Sequence, residues 1–154
     1  MVSVEELKSF EIFNGLTDSE LSSIGELAKK EEYGEGTRIF EEESQATNLY
    51  LVLKGQIEIR MWADKGLEQL SIETVGQGDI FGWSSVTEPY TLTAAAWTVE
   101  NSELLVLNGK VLRDLFKKNN HIGYMIMMEV ASVISSRLRN LNQKCVNNLC
   151  LNNS

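Results

Sequence analysis

The sequence predicts a mainly β domain with helices at both ends, a sandwich or roll, and three observations carry that prediction. A capped amphipathic stretch occupies residues 17–30, short β-like runs follow mostly eight to twelve residues apart, and helical periodicity returns at Lys110. A chain of 154 residues with 43% apolar content has the size of one ordinary domain and the material for a real core.

Thr17-Asp18-Ser19-Glu20 reads as a capping box, in which the Thr17 hydroxyl accepts from the Glu20 N–H and the Glu20 carboxylate reaches back. Leu21, Ile24, Leu27 and Ala28 continue it at helical spacing to about Lys30, with Phe10, Phe13 and Leu16 stapling its start. The β-like runs are Arg38–Glu41, Leu49–Lys54, Gln56–Met61, Gln69–Val75, Thr93–Thr98 and Glu103–Leu107. Turns at Gly34/Gly36, Gly55, Asp64-Lys65-Gly66 and Gly76/Gly78 separate several of them. Val111, Leu112, Leu115 and Phe116 make a short helix that stops near Asn119-Asn120. A long helix then runs from about His121 to Asn142. Its apolar seam includes Ile126, Val130, Val133 and Leu141, close to the 3.5-residue repeat of paired helices, and a helix of about 20 residues spans some 30 Å. That outruns one face of a small roll, so a homodimer through this seam is expected. The domain occupies residues 1–143, and residues 144–154, without periodicity, read as a frayed tail.

Charge is unevenly divided. Residues 1–108 carry 7 Lys/Arg against 20 Asp/Glu, a net of −13, whereas residues 109–154 carry 7 against 2, a net of +5. The acidic body repels nucleic acid, and Arg137, Arg139 and Lys144 are too few to reverse that. No run reaches the length of a membrane span and the acidic start is wrong for a signal peptide, so a cytoplasmic protein without membrane contact is expected. Cys145 and Cys150 fit neither a disulfide framework nor a zinc site.

Enzyme chemistry finds few candidates. His121 is the one histidine, placed at a helix start, so neither a metal-dependent roll nor a Ser-His triad has its ligands or its base. Glu41-Glu42-Glu43 reads as a solvated turn rather than a divalent-ion site, and no catalytic residue or metal ligand is assigned. A binding module remains.

GDIFGWSSV (78–86) has the small residues and turn of an anion cradle, yet no Lys, Arg or His lies between Lys65 and Lys110. With it, FEIFNGLTDSELSSI (10–24), YGEGTRIFEEES (33–44), NLYLVLKGQIEI (48–59) and SELLVL (102–107) form an ordered set that resembles the cyclic nucleotide-binding domain family over about residues 8 to 143. The resemblance implies a double-stranded β-helix, or jelly roll, of about eight strands flanked by an N-terminal helix and C-terminal helices that hinge against it. Gly55 would then permit a hairpin and Gly82 a close backbone approach in the pocket.

In that family a phosphate-binding cassette follows Phe-Gly, with a Glu on the ribose hydroxyl and an Arg on the phosphate. Carried onto this sequence, the cassette comprises Phe81, Gly82, Trp83, Ser84, Ser85, Thr91, Leu92 and Thr93. The Glu position is Trp83, and the Arg position falls on Leu92, or on Thr91 or Thr93 with a one-residue shift. Two hydrogen bonds to charged groups at about 1.5–3 kcal/mol each are missing, which weakens binding on the order of 10² to 10⁴-fold. A cyclic nucleotide is thus implied by the resemblance and opposed by the residues, and no other cofactor is indicated. Ser84, Ser85, Thr91 and Thr93 offer hydrogen bonds to another ligand, and Trp83 reads either as a stacking surface or as a plug packed on the roll.

Two expectations follow. One is a stand-alone ligand-sensing regulatory module that couples its roll to the long helix. The other is a structural or protein-interaction domain whose pocket its own side chains fill. Regulators of the family that read DNA carry a helix-turn-helix domain after the long helix, and residues 144 to 154 are too few for one, so direct nucleic-acid contact is not expected.

Overall fold

The computed structural model describes residues 1–63, 66 and 68–152. Helix α1 (Val4–Lys8), a 3₁₀ turn (Glu11–Phe13) and α2 (Asp18–Leu27) precede eight strands. The strands are β1 (Lys29–Tyr33), β2 (Arg38–Phe40), β3 (Asn48–Lys54), β4 (Ile57–Ala63), β5 (Glu68–Val75), β6 (Ile80–Phe81), β7 (Ala95–Thr98) and β8 (Ser102–Asn108). Helices α3 (Gly109–Lys118) and α4 (Asn120–Asn152) close the chain. The strands form two antiparallel four-stranded sheets, ordered β1-β8-β3-β6 and β2-β7-β4-β5, which is the jelly roll with flanking helices.

The first sheet is buried on both faces, which explains the unbroken apolar runs of β3 and β8. Along β3, Tyr50 and Val52 point into the roll with Leu104 and Val106 of β8, meeting Ile57, Val75 and Ala96 of the second sheet. The alternate residues Leu49, Leu51, Leu105 and Leu107 point outward and pack with Leu21, Ile24, Leu112, Ile122, Ile126 and Val130 from the helices. Pairing of Tyr50 with Val106 and of Leu51 with Leu105 keeps the two sets in register.

Local chemistry accounts for the borders. Ser3 and Thr17 each close a capping box, with Glu6 and Glu20, and Asn108 caps α3 by accepting from the Val111 N–H at 3.1 Å. Gly55 sits at φ +99°, where a Cβ would lie 2.3 Å from Ser102 Oγ, so the β3–β4 hairpin admits only glycine there.

Several sequence expectations change. The helix expected to reach Lys30 ends at Leu27, and Lys29–Tyr33 is an edge strand on β8 whose charged side chains hide its β character. Of the expected turn, Asp64 and Lys65 lie outside the described residues, as does the side chain of Cys150. Trp97, which its place on an alternating strand predicts as a core residue, stands on the outer face of the second sheet, half-buried between the guanidinium groups of Arg38 and Arg60 at 5.9 and 5.2 Å. Residues 144–152, expected to fray, continue α4, with side chains exposed through Leu149.

The seam on α4 is also reassigned. Ile126 (1% exposed) and Val130 (0%) are consumed by the core of their own chain, Val133 packs on the same cluster, and Leu141 borders a cavity of the roll. The apolar stripe is real, but Ile126, Val130 and Val133 spend it on their own chain, while Leu141 remains 37% exposed. No helix is long and apolar enough to cross a membrane, among the described residues.

Candidate functional site

Strand β6 delivers the cassette. Phe81 stacks on Tyr50 (centroids 4.9 Å apart, planes at 10°), and the chain then turns at Gly82 with φ +77°. A Cβ on Gly82 would lie 2.7 Å from the Asn48 carbonyl oxygen and 3.0 Å from Tyr50 Cδ2, so the close approach expected of this glycine is present. Trp83–Ser85 form a single 3₁₀ turn, held by N–H groups of Ser85 and Val86 donating to the carbonyls of Gly82 and Trp83. Three residues are too few to align the peptide dipoles that give longer helices their anion affinity.

A cavity of about 250 Å³ opens beside this turn. Phe40, Phe81 and Ile59 floor it. Met61, Ile72, Leu92 and Ala94 supply the apolar sides, Gly82, Trp83, Ser84 and Thr93 the cassette edge, and Arg137 and Leu141 of α4 the lid side. Glu73 of β5 completes the lining.

The one cation on this wall, among the described residues, comes from far along the chain. Arg137 Nε lies 3.1 Å from Glu73 Oε1, Arg137 Nη2 donates to the Ile80 carbonyl, and the guanidinium lies over the Trp83 ring at 4.5 Å. The two side chains are 11% and 23% exposed, so the pair is largely desolvated. Burial lowers the Arg137 pKa, opposed by Glu73 and Asp79, and the guanidinium stays charged. Burial likewise raises the Glu73 carboxyl above its ordinary value, with Arg137 and Lys144 pulling it back. Desolvation therefore outweighs the ion pair in both partners.

Of the eight cassette positions, Phe81, Gly82, Trp83, Ser84, Leu92 and Thr93 line the cavity. Ser85 does not: it is fully buried, its hydroxyl donates to the Gly82 carbonyl at 2.8 Å, and its own carbonyl accepts from Arg113. Thr91 is exposed and bridges Gln45, away from the cavity. Trp83 is at once packed on the helical core and part of the cavity wall, so its two readings coexist. Leu92, the position onto which the resemblance carries the family's Arg unless the alignment shifts to Thr91 or Thr93, is 5% exposed. Sequence reasoning missed Glu73 and Arg137. A signal was present for Arg137, which interrupts the apolar stripe Ile126, Val130, Val133, Leu141 at the stripe's own spacing.

This arrangement offers an apolar chamber with a charge-matched polar corner. It holds no group of three or more His, Cys, Asp or Glu placed to bind a metal ion, among the described residues.

Comparisons with known proteins agree with the geometry. The chain is 25% identical over 131 residues to a CRP-like cAMP-activated global transcriptional regulator of Mycobacterium tuberculosis, covering 85% of this chain and 56% of that one. It thus spans about half the length of that relative. A crystal structure from Geobacter metallireducens, named for cyclic nucleotide binding, superposes with a TM-score of 0.80 at 32% identity, covering 90% of this chain and 99% of the other. The catabolite activator protein of Thermus thermophilus shares the fold with a TM-score of 0.71 at 24% identity, over 88% of this chain and 61% of that one. The family described as "Cyclic nucleotide-binding domain" matches residues 30–119, more than half of the sequence. With the roll, the glycine-turned cassette and the helix that borders it, that match places the chain in the cyclic nucleotide-binding domain family.

Proposed function

We propose that the chain is a ligand-sensing regulatory module in which α4 reads the occupancy of the cassette cavity, and that cAMP and cGMP bind it weakly. The observation that carries this is the shared wall: Trp83 and Leu92 of the cassette, Glu73 of β5, and Arg137 and Leu141 of α4 border one space. A ligand there touches the roll and the helix together, so its binding energy biases their relative position. The regulatory relative in Mycobacterium tuberculosis supports the same role. A cavity of about 250 Å³ favours sensing over a purely structural domain with a self-filled pocket.

Weak cyclic-nucleotide binding follows from charge. Leu92 and Trp83 replace the phosphate and ribose partners, and Arg137 is already neutralised by Glu73. Titration calorimetry should give no dissociation constant below about 10 µM for either nucleotide, a limit equal to about 6.8 kcal/mol. A tighter value overturns this part.

Readout runs through a second copy of the chain. On the face of α4 that the roll leaves bare, Tyr124, Met128, Ala131, Ser135, Leu138, Asn142, Cys145 and Leu149 are all exposed and recur at alternating steps of four and three. Asn142 then occupies a seam position, where a polar residue selects a parallel pair in one register. The module works in the cytoplasm, where an exposed thiol such as Cys145 stays reduced. It acts by binding and not by catalysis. Hydrogen exchange along α4 with and without a bound ligand tests the coupling, and unchanged protection of residues 130–145 on saturation would refute it.

A further inference from the structure

Resting on the sensing role proposed above, the geometry of the cavity points to its ligand class: we infer that it takes a small, uncharged, largely apolar molecule carrying one acceptor oxygen for Arg137.

Size comes first. At about 30 Å³ per water in the liquid, 250 Å³ equals about eight waters, just below the range of drug-sized pockets. The part of the occupant held against the roll is therefore small, and the rim at Ile72, Glu73, Arg137 and Leu141 opens onward along α4. The occupant's skeleton is apolar, because Phe40, Ile59, Ile72, Phe81, Leu92 and Ala94 offer no hydrogen bond from their side chains and favour displacement of water by carbon.

The polar corner sets the rest. Arg137 forms an ion pair with Glu73, with Nε 3.1 Å from Oε1, donates one Nη2 proton to the Ile80 carbonyl, and lays its face on Trp83. Its Nη1 has no hydrogen-bond partner among the described residues, and the Arg137 side chain lines the cavity. An N–H that faces the cavity without a protein acceptor is free to donate to a ligand oxygen, which takes the place of water there. The ligand carries no negative charge, however. Glu73 already balances Arg137, and the next charges acting on the pair, Asp79 and Lys144, are themselves opposite in sign. An added anion would be the unpaired charge in a desolvated corner beside a carboxylate, which is unfavourable. This corner discriminates neutral from anionic ligands, the reverse of a phosphate site.

Four probes test it by calorimetry and ligand-observed NMR: 1-naphthol, naphthalene, 1-naphthoate and cAMP. The expected order puts 1-naphthol about tenfold or more above naphthalene, which lacks the oxygen, and above 1-naphthoate, which carries the charge. Ala94→Phe, which fills the chamber, should abolish naphthol binding. Leu141→Trp, at a half-open position on α4, serves the same purpose should Ala94→Phe fail to fold. Glu73→Gln removes the balancing carboxylate and should shift the naphthoate-to-naphthol affinity ratio at least tenfold toward naphthoate. Tighter binding of cAMP or naphthoate than of naphthol to the unaltered protein, lost on filling the chamber, would overturn the ligand class and leave the sensing site standing. If no probe binds in a manner sensitive to chamber filling, both fall.

Discussion

The guanidinium of Arg113 lies 3.8 Å from the centroid of the Tyr90 ring, and its Nη1 donates to the Ser85 carbonyl at 3.1 Å. One side chain of α3 thus grips the cassette at both ends, once through the buried turn and once through the loop that returns from it. Arg113→Met keeps the stem and removes both contacts. A loss of about 1–3 kcal/mol in urea denaturation is expected. Hydrogen exchange across residues 83–92 should quicken while that of β3 does not. Equal change in both would mean that the contact supports the whole fold and not the cassette.

Restoring the family side chains tests whether the loop's path is intact. Trp83→Glu places a carboxylate beside Arg137, while Leu92→Arg alone would bury an unpaired charge at a position that is 5% exposed. The two together should exceed the sum of the singles and return part of about 3–6 kcal/mol toward cAMP. Thermal melts must accompany the titrations, because Trp83 packs on the helical core. A folded double variant that still ignores cAMP would show that the backbone, as well as the side chains, has left the family pattern.

The bare face of α4 predicts two different fates for two neighbouring substitutions. Leu138→Asp, at a side chain 57% exposed, should give a folded monomer in sedimentation, whereas Val130→Asp, fully buried, should unfold the chain. In a parallel pair the two Cys145 thiols meet across the seam. With Cys150→Ser, oxidation by diamide should join them as a disulfide and yield a covalent dimer that Leu138→Asp abolishes. Unaltered protein that sediments as a monomer at tens of micromolar would refute the pairing.

Glu20 ties α2 to α4 and gives a pH signature. Its carboxylate accepts from the Thr17 N–H at 3.0 Å and lies 2.9 Å from His121 Nδ1, and these two contacts, the Thr17 bond first, hold its pKa below the ordinary value. A carboxyl whose pKa is depressed on folding stabilises the fold above its ordinary value, about 4.3, and that contribution fades as pH falls through the depressed one. Glu20→Gln should therefore flatten the acid side of the stability curve and leave a smaller deficit at pH 3 than at pH 7. An unchanged difference between those pH values would exclude a charge effect.

Much of the roll was legible because each central strand announces itself twice, by apolar content and by a glycine or charged turn after it. β3 and Gly55 are the clearest instance. β1 was not legible, since Lys29–Tyr33 pairs through its backbone at a sheet edge and carries mainly charged or polar side chains. The stripe on α4 was found and its occupant mistaken: periodicity reports that a face is buried, and says nothing of what buries it. The cassette was found by its glycines, whereas its charge came from Arg137, separated by 54 positions from Trp83, where only the fold joins them.

Helix α4 is fastened unevenly. Ile122, Ile126 and Val130 fix its first turns in the core, Arg137 and Leu141 meet the cavity, and the fifteen residues after Arg137, about 22 Å of helix, run along β5 as far as Lys144, which donates to the Ile72 carbonyl, before leaving the roll. It is a lever pivoting close to the chamber. A tilt of about 10° at Arg137 would swing the far end by about 4 Å, most of one helical turn. A molecule that shifts one guanidinium by less than its own width can thereby change which residues two such arms present to each other.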